Sequence, residues 1–162
     1  MPLLKNAEVI EDPYTRVPGD DALPAEGAVL VDLARWESDR EALIARDSAI
    51  GVRLESSQAP AAIADDLDQI ALVALDFPAF TDGRAYSYAR LLRERHGYRG
   101  EVRAVGDVAL EQLHFMDRAG FDAFELGSDQ PLEDWLTAQS DMKLWYQPTG
   151  DERPTVSQLR RR

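Results

Sequence analysis

The run IALVALDF at residues 70–77 constrains the fold more than any other stretch of this chain. It is almost unbroken Ile, Leu and Val, which fits a strand covered on both faces, the usual state of a strand in a parallel sheet. Compact apolar runs recur in AVLVDL at 28–33, IGVRLE at 50–55, EVRAV at 101–105 and FDAFE at 121–125. Helix signals fall between them. Ser38 and Glu41 have capping-box spacing ahead of DREALIAR, and Pro60 can open a short helix, AAIADDL. A helix after Gly83 stops at Gly97, and Asp107 can cap VALEQLHFMDRA, which stops at Gly120. Pro131 opens a last helix, PLEDWLTAQ.

Strands that alternate with helices predict one α/β domain over residues 1–150. The expected form is an open, mainly parallel sheet of about five strands with helices on both faces, with strands at 28–33, 50–55, 70–76, 101–105 and 121–125. A partial barrel is the alternative, since an eight-fold barrel needs about 250 residues. Residues 1–26 are punctuated by Pro2, Pro13, Pro18 and Pro24 and read as irregular, although EVIEDPYTRV can supply edge strands. Residues 151–162 have no apolar periodicity and are expected to be a flexible basic tail. Just before it, Trp145 and Tyr146 are expected to pack onto the domain.

Charge and composition exclude several functions. Thirty acids against 18 Lys and Arg give a net charge of −12, and omitting residues 151–162, with their four arginines, leaves −14. A surface of that sign repels phosphate backbones, so nucleic acid is not an expected partner. No apolar run approaches the roughly 20 residues that span a bilayer, and MPLLKNAEVIEDPY does not read as a signal peptide. The expectation is a cytoplasmic protein without a membrane partner. With no cysteine, the chain can form no disulfide and no Cys-ligated cluster. His96 and His114 lack metalloprotease spacing, and no phosphate-binding glycine motif is present. No metal site and no cofactor are evident.

Against this acidic background, DFPAFTDGRAYSYARLLRERHG at 76–97 is unusual. In open parallel sheets, ligands bind beyond the carboxyl ends of the strands, where Asp76, Asp82, Arg84 and Asp107 would meet. Thr81, Asp82, Gly83, Arg84, Ser87, Arg90 and Asp107 form the candidate anion- or partner-binding set. Gly83 would admit a ligand to the first helical N–H groups, and the arginines would add charge. The competing reading is structural, with Asp82 or Thr81 as the N-cap and Asp107 as the cap of the next helix. Tyr86, Arg90 and Arg93 share a helical face that either meets solvent or, with Phe77 and Phe80, docks a partner. His114 is expected at the core boundary.

DGRAYSYARLLR at 82–93, followed by G-x-x-G-E-x-R-A-V-G-D at 97–107, resembles the bacterial domain-of-unknown-function family 934. The likeness is strongest over residues 77–126 and is carried by Asp82, Gly83, Arg84, Ser87, Arg90, Arg103, Gly106 and Asp107. Family members are often labelled as an oxidoreductase of sulfite reduction and are typically encoded beside assimilatory sulfite reductase. The resemblance implies a role in sulfur assimilation with sulfite reductase as the partner, but it supplies no catalytic residue. Because sulfite reduction needs metal centres and this chain has no cysteine, the implied role is an accessory one without its own redox centre. A small enzyme or binder of an anionic metabolite is the second expectation.

Overall fold

The computed structural model describes residues 2–141, 143–151 and 153–161. Met1, Met142 and two residues counted in the tail, Glu152 and Arg162, lie outside the described residues. The strands are β1 (Leu3–Lys5), β2 (Glu8–Ile10), β3 (Tyr14–Val17), β4 (Ala28–Asp32), β5 (Ile50–Leu54), β6 (Leu72–Phe77), β7 (Glu101–Gly106) and β8 (Ala123–Glu125). They form one eight-stranded sheet in the order β2-β1-β8-β7-β6-β5-β4-β3. Strands β3 to β8 are parallel, and β1 pairs antiparallel with both β8 and β2. Thus all five expected strands are present, and residues 3–17 add three more.

The helices lie on one face of the sheet rather than two. The parallel strands follow one another in chain order, so every right-handed crossover falls on the same side. Burial agrees. Val29, Val31, Val52, Val73, Leu75, Val102 and Ala104 share one large core with Trp36, Leu43, Ile63, Leu92, Leu113 and Met116 from the connecting segments. The opposite face carries a smaller cluster drawn only from strands, Leu30, Leu72, Ala74 and Val105, with Tyr14 against it.

That second face is buried without helices because the sheet rolls up. Laid flat, eight strands would separate β2 from β3 by about 34 Å. Only residues 11–13 join them, and so short a link spans at most about 14 Å. Moreover β2 and β3 run in the same direction, and three residues are too few for a crossover. Residues 8–17 are therefore one bent strand that pairs with β1 at one edge and continues onto β4 at the other. Pro13 sits at the bend, where no ladder donor is needed. The expectation of an open sheet gives way to its alternative, a partial barrel.

The helices are α1 (Leu33–Ile44), α2 (Arg84–Arg90), α3 (Leu110–Ala119), α4 (Pro131–Asp141) and α5 (Val156–Leu159), with a 3-10 segment at Pro60–Asp66. The capping box at Ser38 is not used. Burial of Leu33 and Trp36 starts α1 directly after β4, and Ser38 Oγ donates to the Arg35 carbonyl beside a kink at Asp39. Helix α2 runs on into a π segment, Leu91–Arg95.

Trp145, Asp151 and Arg153 lie against α3. Trp145 stacks on His114 at 4.4 Å, under the Arg118 guanidinium at 4.1 Å. It is buried, as is His114, which therefore sits inside the boundary expected for it; Tyr146 faces solvent. In the tail, Asp151 accepts from Arg118 at 2.8 Å, Arg153 donates to Asp117 at 2.6 Å, and Thr155 caps the single turn of α5.

Candidate functional site at the barrel mouth

The carboxyl ends of β5, β6 and β7 feed three loops that are bonded to one another. From the β6 loop, the Phe80 N–H donates to Asp107 Oδ2 at 2.8 Å, and Gln112 Nε2 donates to the Phe80 carbonyl at 3.1 Å. The Asp107 N–H donates to the Phe77 carbonyl at 2.7 Å. Arg84 Nη2 donates to Ser56 Oγ at 2.9 Å, and the Tyr88 hydroxyl to the Ser56 carbonyl at 3.2 Å. Sequence order alone had suggested this shared edge, and Ser56 is the member it left out of the candidate set.

Asp107 therefore joins two loops and does not cap α3. That helix starts three residues later, at Leu110, and Gln112 Oε1 accepts the Ala109 N–H instead. The glycine with a steric job is also different from the one expected. Gly83 has φ −89 and open space where a Cβ would project, so any residue fits there. Gly106 has φ +93, and a Cβ would lie 2.5 Å from the Phe77 carbonyl oxygen. Only glycine lets β7 end this close to β6.

The start of α2 is occupied by its own carboxylate. Asp82 Oδ1 accepts from the Arg84 N–H at 3.2 Å and from Arg84 Nε at 3.0 Å, while Oδ2 accepts from Nη2 at 2.7 Å. These bonds, first from the guanidinium and then from the backbone, hold the Asp82 carboxyl well below the usual carboxylate range. An anion arriving here would meet a fixed negative charge. Thr81 is exposed, and its side chain makes no hydrogen bond among the described residues.

The arginine face divides. Arg90 is exposed and pairs with Glu94 at 3.1 Å. Arg93 turns inward to the carbonyls of Gly120, Tyr98 and Gly100 and to the Asp122 carboxylate. The π segment winds one more residue into its turn, so α-helical spacing misassigns the face. Ser87, Arg90, Leu91, Glu94 and Arg95 line a shallow groove of about 410 Å³. Phe77, offered with Phe80 as a docking residue, is wholly buried and stacks edge-on with Tyr86 at 5.4 Å. Phe80 remains 50% exposed.

The barrel interior holds a polar network that helix and loop signals do not reveal. Arg103 is fully buried, donating to Glu101 Oε1 at 2.7 Å, Asp12 Oδ2 at 2.8 Å and Glu125 Oε1 at 3.4 Å. Lys5 Nζ donates to the other Glu101 oxygen at 2.7 Å, and Tyr14 lies beneath the guanidinium. Burial, then Glu101, pushes the Tyr14 phenol up. Nearer the mouth, Arg53 pairs with Asp76 at 2.6 Å. The available signal was period-two: Arg53, Asp76, Glu101, Arg103 and Glu125 occupy the strand phase opposite the apolar core.

These features define a mixed α/β protein whose sheet is rolled into a partial barrel, with its loops stitched together at the mouth. Residues 51–156 match the family described as a bacterial protein of unknown function, DUF934. The chain belongs to that family. The match includes every mouth residue described above. Comparison with curated proteins gave no match. No helix among the described residues is long and apolar enough to cross a membrane.

Proposed function

We propose that the protein is a cytoplasmic accessory of assimilatory sulfate and sulfite reduction, acting with sulfite reductase and carrying no redox centre of its own. The link to that pathway rests on the resemblance of the chain. The observation that carries the docking role is Phe80: its ring is half exposed while its N–H is held by Asp107 of the next loop and its C=O by Gln112 of α3. A large aromatic presented on a pinned backbone gives contact area with little ordering cost, which is how interface anchors work. Asp82 already fills the start of α2, which favours a partner surface over an anion cradle.

The test is a deletion strain grown on sulfate, with capture of sulfite reductase by the tagged protein. Phe80→Ala is expected to fold normally, lose the reductase and fail to restore growth. Full rescue by Phe80→Ala would remove the docking role. A second reading, an enzyme or binding protein for an anionic metabolite, is favoured by the groove at Ser87, Arg90 and Arg95. It predicts thermal stabilisation by sulfite, sulfate or nucleotides that an Arg90→Ala, Arg95→Ala variant loses.

A further inference from the structure

The outer helical layer has a gap beside the barrel seam. Helix α4 packs against β1 and β2, and Leu4 of β1 is fully buried, yet Val9, which pairs with Leu4 on the same face of the sheet, stays 49% exposed. Leu132 and Leu136, one turn apart on α4, are also exposed. A groove of about 500 Å³ runs between the hairpin and the start of α4, with Pro2, Val9, Pro131 and Leu132 as its apolar lining. Asp129 and Glu133 stand on its rim.

The rim charge narrows what can fill it. Two copies of this face would oppose acid to acid, which disfavours a symmetric dimer through the groove. A complementary occupant is apolar with basic flanks. Residues 159–161 of this chain are of that kind: Leu159 is exposed at the end of α5, and Arg160 and Arg161 are exposed with no ion pair among the described residues. In a protein of net −12, this is a basic cluster without local acids to neutralise it.

We propose that the groove between β2 and α4 binds the segment Leu159–Arg161 of a second copy, with Leu159 against Val9 and Leu132 and the two arginines on Asp129 and Glu133. The contact joins different surfaces, so two copies can exchange tails reciprocally in a closed dimer. Without that exchange, successive copies form rings or short chains.

Sedimentation velocity of the full chain over a concentration series reads this directly. The expected result is concentration-dependent growth beyond the monomer, stronger at low salt than at high salt. Arg160→Glu with Arg161→Glu should weaken association by about tenfold or more, and adding Asp129→Lys with Glu133→Lys to the same chain should restore it. Circular dichroism and melting confirm that each variant is folded. A protein that stays monomeric throughout overturns the proposal. So does association that Leu132→Asp abolishes but arginine reversal leaves unchanged, because another part of the second copy would then fill the groove.

Discussion

Replacing Arg103 by Met tests the account of the barrel interior. Methionine keeps a long, flexible side chain in the same space but removes the charge that Glu101, Asp12 and Glu125 face. Breaking a buried ion pair on one side costs about 3–5 kcal/mol, because the remaining charge is left desolvated. Here the cost falls mainly on Glu101, whose side chain is 5% exposed; Asp12, at 34%, can turn to water. Lys5 still holds one Glu101 oxygen, which puts the expected loss near the lower figure, about 3 kcal/mol. For a domain stable by about 5–15 kcal/mol that is a large fraction. Urea melts of Arg103→Met, Glu101→Met and the double variant provide the measurement. The double variant should be less destabilised than the two singles added together by about 1–2 kcal/mol, with no change in m-value. A single-variant cost under about 1 kcal/mol, or strict additivity, would refute the claim that Arg103 and Glu101 depend on each other.

The β1–β2 hairpin turns on Asn6 and Ala7 at φ +50 and +65, a two-residue loop that suits Asn-Gly far better than Asn-Ala. Relief of left-handed strain, about 1–2 kcal/mol, exceeds the entropy glycine adds to the unfolded chain, so Ala7→Gly should gain about 0.5–1 kcal/mol in a melt. A loss of stability would count against the turn geometry. At the mouth, Arg84→Gln should let the Asp82 carboxyl titrate upward toward its ordinary 3.8, followed by NMR of the carboxyl carbon. With the folded value depressed, the stabilisation from Asp82 is present above about pH 3.8 and lost as pH falls below it. Wild-type stability should therefore decline more steeply than that of Arg84→Gln in that acid range; equal Asp82 titration in both proteins would exclude the guanidinium as the cause.

What the sequence determined by itself was five of the six parallel strands and most helix limits. Runs such as IALVALDF carry their burial in their own composition, and Gly97, Gly120 and Pro131 act on the backbone locally. Local capping signals were overruled wherever a long-range contact competed. Trp36 drew α1 back past Ser38, and Phe80 took the Asp107 carboxylate that could have capped α3. In the π segment, Arg93 likewise leaves a supposed solvent face for the carbonyls of Tyr98 and Gly100. Barrel closure was not legible in any single stretch, because it depends on β1 pairing with β8, far along the chain, while residues 14–17 pair with β4. The same holds for the Asp12–Arg103 pair, separated by 91 positions in sequence and 2.8 Å in space. Periodicity records which face a residue occupies, but only the rolled sheet decides what that face meets.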